Sequence, residues 1–378
     1  MTRISVRLFA ALREEAGTPV VEVSAGTAGE AVDALSARFG DRFARVAAVG
    51  SIVVNGERAD RDTPVSEGDE LALLPPVSGG MAQSSRADPR GRRASSVVTV
   101  DLHVTSECSQ ECPYCWGPKG YEGPVDTATA LSIVEHVKTV GARRIVFTGG
   151  DPLKRRDVGL LLRRAEEVGL EVALSTTGDE LTHAFLGEFA SCLDLVSLPI
   201  DGSTDEVSSR TKEAGHLAAV LQALEWLRAF AGVDVKLCTP VTRHNLEDVP
   251  NILRLVDRYA RSTEAQVFYN VFQAFPRSME LVDWRSLLVT GEEFAALERE
   301  LERAPNVRVH LLDHATLDRL YVMVFPDGSL VVPSGSAYLT YGRFLEVEDL
   351  NAVLAGTDFD ALKHRRHSQG WRRLEVRR

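Results

Sequence analysis

Thr105-Ser106-Glu107-Cys108-Ser109-Gln110-Glu111-Cys112-Pro113-Tyr114-Cys115-Trp116 holds three of the chain's five cysteines. Three residues separate Cys108 from Cys112, and two separate Cys112 from Cys115. One short loop of this spacing can wrap three thiolates around a single iron–sulfur cube. Such clusters take soft thiolate ligands, and most four-iron clusters take four of them. The other two cysteines, Cys192 and Cys238, lie far away in sequence, so three ligands would leave one iron open to another group. A zinc site, a disulfide and chance are the competing readings. Zinc normally takes four closed ligands or includes histidine, and no histidine stands at the right spacing. A disulfide is out of place in a chain whose N-terminus, Met1-Thr2-Arg3-Ile4-Ser5-Val6-Arg7, has no apolar signal segment.

With the aromatic Tyr114 before its last cysteine, the stretch resembles the cluster loop of the radical S-adenosylmethionine (SAM) enzymes. The resemblance implies a [4Fe–4S] cluster on Cys108, Cys112 and Cys115, with SAM held on the open iron by its amino and carboxylate groups. It also implies an electron donor such as ferredoxin or flavodoxin, cleavage of the sulfonium bond, and a 5′-deoxyadenosyl radical that takes hydrogen from a small-molecule substrate.

The surrounding rhythm fits. Strand-like runs at 97–104, 144–148, 170–175, 193–199, 233–239 and 265–271 alternate with helical stretches at 126–140, 158–168, 181–190, 214–230 and 248–259. Such alternation predicts a parallel sheet. Six units match the partial (β/α)6, TIM-like barrel of the radical SAM family, whose chemistry sits at the C-terminal strand ends. The motifs fall there. Thr148-Gly149-Gly150-Asp151-Pro152-Leu153 resembles the family's Gly-Gly-Glu-Pro motif, with aspartate in place of glutamate. Its glycines would let backbone approach the SAM amino group, and Asp151 would accept from it. Ser175 and Thr177 end the next strand, where family members contact SAM. Ser197 and Asp201 border the one after. Arg210 matches an arginine that grips the SAM carboxylate, a task suited to fixed charge. Lys236 lies in an apolar strand and points either outward or into the barrel. Inside, it would need an anionic partner, and a substrate phosphate would serve. Asn245 matches an asparagine found after this strand. Phe268, Phe272 and Phe275 read as core.

Residues 1–80 have another character. Strands at 4–10, 20–23, 51–55 and 70–74 surround a helix running from Thr27 to Phe39 and stopped by Gly40. One helix across such a sheet is a β-grasp (ubiquitin-like) α+β fold. The pieces Leu8-Phe9-Ala10, Val54-Asn55-Gly56, Glu67-Gly68-Asp69-Glu70 and Pro75-Pro76-Val77-Ser78-Gly79-Gly80 closely resemble the sulfur carriers of molybdopterin and thiamin synthesis. In that family an E1-like adenylyltransferase activates the terminal glycine for conversion to a thiocarboxylate. Gly79 and Gly80 match that terminus, but Met81 follows. Carrier chemistry would need cleavage after Gly80 or a separate start at Met81; otherwise the domain is a docking module. Residues 81–96 read as a flexible linker, 97–285 as the barrel, and 286–378 as an extension that closes it. The extension carries Tyr321, a hairpin about Pro326-Asp327-Gly328, and a basic end. It has no cysteine for a second cluster. The order of motifs resembles the viperin-type nucleotide dehydratases more than the molybdopterin-forming GTP cyclase, which suggests a phosphorylated or nucleotide-like substrate.

Composition sets the outer bounds. The chain has 378 residues, with 43 Lys+Arg against 54 Asp+Glu, a formal charge of −11. That charge argues against broad nucleic-acid binding. No apolar run reaches the roughly 20 residues that span a bilayer. A reducing, cytoplasmic location is expected. Two alternatives to hydrogen abstraction from a metabolite are sulfur insertion, using a thiocarboxylate on the N-terminal domain, and a scaffold that binds cluster and SAM without turnover.

Overall fold

A computed structural model describes residues 2–8, 12, 15–18, 20–40, 43–44, 47, 51–55, 57–66, 68–74, 97–118, 123–276, 284–301 and 306–369. Gly79, Gly80, the linker 81–96 and the basic end beyond Gln369 lie outside these residues. The chain forms two compact units, Met1–Gly91 and Arg92–Arg378, divided within the stretch read as linker.

The first unit is a five-stranded sheet in the order β2-β1-β5-β3-β4. Its strands are β1 (Thr2–Leu8), β2 (Val20–Ala25), β3 (Ser51–Val54), β4 (Glu57–Ala59) and β5 (Glu70–Leu74). The first and last strands in sequence, β1 and β5, pair in parallel inside the sheet. Period-2 alternation turns Ile4, Val6 and Leu8 inward, while Arg3 and Arg7 stay exposed. Helix α1 (Ala28–Phe39) is capped by Thr27, whose side chain accepts from Glu30 N, and it buries Ala31, Val32 and Leu35. Gly40, at φ 85°, ends it as the sequence predicts. Strand β4 was not expected from the sequence.

The second unit is built on β6 (Thr99–His103), β7 (Arg144–Thr148), β8 (Glu171–Ser175), β9 (Leu195–Pro199), β10 (Asp234–Val241) and β11 (Val267–Gln273). All neighbouring pairs are parallel. Between them run α2 (Thr127–Thr139), α3 (Val158–Glu167), α4 (His183–Phe189), α5 (His216–Leu227) and α6 (Val249–Ala260). One face of each strand carries the main core: Val100, Leu102, Ile145, Phe147, Val172, Leu174, Val196, Leu198, Val235 and Leu237 pack there with the helices. The alternate residues line the lumen. Val146, Ala173, Leu195 and Phe268 form a small apolar cluster of their own.

The C-terminal extension does more than the expected covering. Strand β12 (Arg308–Leu312) pairs in parallel with β11. Strand β13 (Met323–Val324) pairs in parallel with β6, and β14 (Ser329–Ser334) and β15 (Ala337–Arg343) continue from it antiparallel. The sheet therefore has ten strands, with the extension at both edges. Two short helices, Gly291–Ala296 and Glu298–Leu301, follow the barrel. Helices α7 (Leu350–Ala355) and α8 (Ala361–Gln369) complete the unit.

Helix α8 is fastened to the start of β6 by His364. Val98 N and Thr99 N donate to its Nε2 at 2.9 and 3.1 Å, and its Nδ1 lies 2.7 Å from Leu320 O. The ring must be neutral to accept at Nε2 and donate from Nδ1. Burial holds its pKa down to about 4, against the pull of the Leu320 carbonyl. Burial likewise holds half-buried His367 down to about 3. A histidine with a depressed folded pKa contributes stability above its unfolded value of about 6.5, lost as pH falls through the folded value. The melting temperature of the metal-free protein should therefore fall between pH 6.5 and 4. His364→Ala should make that slope shallower, and should cost about 1 kcal/mol at pH 7 by orphaning two part-buried N–H groups. Equal slopes in the two proteins would refute this account.

Candidate active site at the mouth of the parallel barrel

A cavity of about 340 Å³ opens at the C-terminal ends of the barrel strands and runs down into the lumen. Cys108, Cys112 and Cys115 all line it, beside Tyr114. Their loop follows β6 directly and is fixed by its neighbours. Gln110 N lies 3.4 Å from Cys108 Sγ, and Gly117 N lies 3.2 Å from Cys115 Sγ. Ser109 and the Gln110 amide both donate to Asp179, and Glu213 N donates to Gln110 Oε1 at 2.9 Å.

Gly149 and Gly150 line the cavity too, but their first role is to let the β7 loop lie against the cysteine loop. Gly150 N donates to Thr105 O at 2.8 Å, and Asp151 N to Glu107 O at 2.6 Å. A Cβ at Gly150 would come 2.6 Å from Ser106 O and closer still to Glu107 O. Asp151 departs from its expected role. Its side chain is fully buried, does not line the cavity, and is engaged by the protein. Thr176 Oγ1, Thr177 Oγ1, Thr177 N and Leu153 N all donate to it. It pins the β7 loop to the β8 loop. Pro152 opens a short 3₁₀ turn and also lies outside the cavity.

Arg210 is a second correction. Its side chain is exposed and pairs with Glu206 Oε1 and His244 O, each at 3.1 Å. The cation that reaches the cysteine loop is Lys212, two residues on. The one-turn helix Asp205–Ser208 sets the phase so that Thr211 and Lys212 are buried while Arg210 faces out. Lys212 Nζ lies 3.1 Å from Cys112 Sγ and 5.6 Å over the Tyr114 ring. Burial opposes its charge, but Asp201 and the Cys112 sulfur outweigh burial and hold its pKa above the ordinary lysine value. Asp201 accepts from the Tyr114 hydroxyl and, at 2.8 Å, from Thr211. Burial raises the pKa of the Cys112 thiol, with Lys212 opposing it.

Ser175, Thr177, Ser197, Lys236 and Tyr321 line the cavity. Asn245 does not. It is 2% exposed, accepts from Thr242 N at 2.8 Å, and donates to Asp201 O and Pro240 O. It ties together the loops after β9 and β10. The period-2 face of β10 resolves Lys236 into the lumen with Cys238. Burial lowers the Lys236 pKa, while Cys238 and Asp101 raise it.

Sequence reading missed several lumen residues. Asp101 and His103 come from β6 and Arg144 from β7; His364 and His367, from the stretch read as the basic end, reach the lumen on α8. Burial pushes the Asp101 carboxyl up to about 7, restrained by Lys236 and Arg144. His103 is 6% exposed and held to about 4 by burial, and neither of its ring nitrogens has a hydrogen-bond partner. Arg144 donates to Glu171 and to Ser368 O, closing the floor.

The three cysteines suit a cluster better than a single ion. Among the described residues no three histidine, cysteine or acidic side chains converge on one metal position. A four-iron cluster presents a separate iron to each thiolate, so its ligands need not converge that tightly. The N–H groups and the lysine directed at the sulfurs are what anionic thiolates require.

Comparison with known proteins fits this geometry. Residues 102–256 match the Radical SAM superfamily, and residues 6–80 match the ThiS family. The mycofactocin maturase MftC of Mycobacterium ulcerans is 26% identical over 222 residues, covering 55% of this chain and 59% of that protein. The chain thus spans about three fifths of that relative's length. An S-adenosylmethionine-dependent nucleotide dehydratase of Flammeovirga pacifica is 26% identical over 267 residues, 66% of this chain and 88% of that protein. Among solved structures, native anSMEcpe with bound AdoMet superposes with a TM-score of 0.52 at 16% identity, over 71% of this chain and 82% of its own. Streptococcus suis SuiB gives 0.54 at 14% identity, over 69% and 67%. These two likenesses concern the fold.

Proposed function

Because the chain joins a radical SAM domain to a ThiS-like domain, we propose that it abstracts hydrogen from a small metabolite by way of a [4Fe–4S] cluster held by Cys108, Cys112 and Cys115. A cluster held there, given SAM and one electron from a reductant such as ferredoxin or flavodoxin, would supply a 5′-deoxyadenosyl radical. The chain's own residues hold and enclose the reactants. Lys212, in place of Arg210, neutralises charge beside Cys112 and holds the SAM carboxylate. Backbone at Gly149 and Gly150, and the hydroxyls of Ser175, Thr177 and Ser197, surround the rest of SAM. The polar groups below, Lys236 first among them, hold the substrate out of water. Tyr321 lines the wall that β13 and α8 complete. The observation that carries this reading is that all three cysteines and the Gly149-Gly150 backbone open onto one cavity at the mouth of a parallel barrel.

The test is anaerobic reconstitution with iron and sulfide, then incubation with dithionite and SAM. About four irons per chain and 5′-deoxyadenosine are the expected result. A loaded cluster with no 5′-deoxyadenosine would leave the scaffold alternative standing and overturn the catalytic one.

The ThiS match running through Gly80 favours a second reading. Cleavage after Gly80 and activation by an E1-like adenylyltransferase would make residues 1–80 a thiocarboxylate sulfur donor. Mass spectrometry of protein from its native cell checks this. A thiocarboxylate-ended fragment supports it, and chains always intact count against it. Among the described residues no helix is long and apolar enough to cross a membrane, and we infer a cytoplasmic location, suited to an oxygen-sensitive cluster.

A further inference from the structure

Four of the chain's five cysteines line the cavity, and only three of them belong to the loop after β6. The fourth, Cys238, comes from the lumen face of β10. It is a free, half-buried thiol. In parallel register it stands beside Pro199 of β9, and its Sγ lies 3.5 Å from the Oγ of Ser197, one of the hydroxyls placed around SAM. Burial pushes the Cys238 thiol up, with Lys236 and Ser197 opposing, so the sulfur keeps its hydrogen. The space it faces is built to hold a guest. His103, on β6 four strands away in sheet order, is 6% exposed and lines the same cavity. Among the described residues neither of its ring nitrogens has a hydrogen-bond partner. An edge contact with Phe325, ring centroids 5.1 Å apart, fixes the imidazole. A buried polar group without a partner is costly and calls for one, here a polar atom of a substrate.

We propose that Cys238 is a catalytic residue that returns a hydrogen atom to the substrate radical, so that the reaction is redox-neutral at the substrate, an inversion or rearrangement at carbon rather than an oxidation. The inference rests on the radical SAM reading of the same cavity and names the fate of the radical made there. An S–H bond is weaker than an aliphatic C–H bond, so transfer from thiol to carbon radical runs downhill. The C–H bond forms as the S–H bond breaks, and Cys238 is left as a thiyl radical. One electron, from the class of one-electron reductant that feeds the cluster, and one proton from water restore the thiol. Each SAM cleaved then takes up two electrons and one proton, and the substrate regains the hydrogen it lost. The other weakly bound exchangeable hydrogens of the cavity are phenolic. Tyr114 gives its own to Asp201, and Tyr321 stands edge-on to Trp116 and His367. The contact with Ser197 favours Cys238.

The test needs no known substrate. The full chain, reconstituted and freed of added thiols, is incubated anaerobically in D2O with SAM and dithionite. Without a substrate the radical draws on the weakest hydrogen in reach, and a Cys238 thiol exchanged to S–D gives it deuterium. Mass spectrometry of the 5′-deoxyadenosine reads the outcome. The expected product is heavier by one deuterium in wild type and in Cys192→Ala, and mostly unlabelled in Cys238→Ser, whose O–H bond is too strong to give up its hydrogen. Cys238→Ala is the second variant, should serine disturb the fold. A merely structural sulfur would leave the isotope content unchanged. Another readout needs no cluster. In the iron-free chain, methyl methanethiosulfonate should modify Cys238 and leave the buried Cys192 intact. Unlabelled product from wild type, label kept in the Cys238 variants, label lost instead in Tyr321→Phe, or a Cys238 that the reagent does not reach would each overturn the proposal. In the first three cases 5′-deoxyadenosine still forms, so the catalytic reading stands and only this inference falls. If none forms under any condition, the catalytic reading falls and this inference with it.

Discussion

Alanine at Cys108, Cys112 or Cys115 should bring reconstituted iron and 5′-deoxyadenosine formation to background while leaving the chain folded. The loop that carries the three cysteines is held by groups other than their sulfurs. Asp179 holds Ser109 and Gln110, Asp201 holds Tyr114, and the backbone of the loop after β7 holds Thr105 and Glu107. Loss of one thiol therefore removes a ligand without releasing the loop. Cys112 and Cys115 do pack with Tyr114, Trp284 and Leu287, so a stability loss of about 1–2 kcal/mol at those two positions is expected. Cys192→Ala is the control. Cys192 is buried in the helix-side core, away from the cavity. Its loss should cost similar stability yet leave iron content and 5′-deoxyadenosine at wild-type levels. Iron counts and product assays on the four variants decide the matter. Full iron and turnover in Cys108→Ala would remove the basis for placing the cluster here.

The barrel was legible because each of its strands turns apolar residues toward the helices, and that two-residue period survives in sequence. The lumen was not legible from the same pattern. Thr99, Asp101, His103 and Arg144 occupy the positions that would be solvent-facing in a one-sided sheet. Polarity alone does not separate a wet lumen from a wet surface. Lys236 was noticed only because the strand around it is so apolar. The edges escaped for another reason. Strand β13 has two residues, and its partner β6 lies more than 200 positions earlier, so nothing local announces the pairing. At the site, spacing within one loop was decisive for the cysteines. The choice between Arg210 and Lys212 instead depended on the phase of a single helical turn. Asp151 was misread because its partners, Thr176 and Thr177, arrive from the loop after the next strand, and Thr177 was itself assigned to SAM.

Gly150→Ala should be among the most damaging single changes outside the cysteines. The added Cβ would lie 2.6 Å from Ser106 O, 2.5 Å from Glu107 C, and nearer still to Glu107 O. These are backbone atoms of the cysteine loop, so no rotamer change relieves the contact. The loop must move, and with it the Gly150 N to Thr105 O and Asp151 N to Glu107 O hydrogen bonds that set its distance from β7. Overpacking of this kind costs roughly 1–3 kcal/mol, and more where the backbone cannot yield. The larger consequence falls on the cluster, because Cys108 directly follows the displaced residues. The expected result is a lowered melting temperature together with iron uptake well below wild type. Gly187→Ala separates this from a general effect of filling glycines. Gly187 lies within α4, where an added Cβ meets nothing within 4 Å. There alanine should raise stability by about 0.5–1 kcal/mol through helix propensity alone. If Gly150→Ala keeps both its iron and its melting temperature, the close approach of the two loops is not what requires glycine here. The remaining reason would be the room its bare backbone leaves for SAM, and the defect should then appear in SAM affinity while iron content stays at the wild-type level.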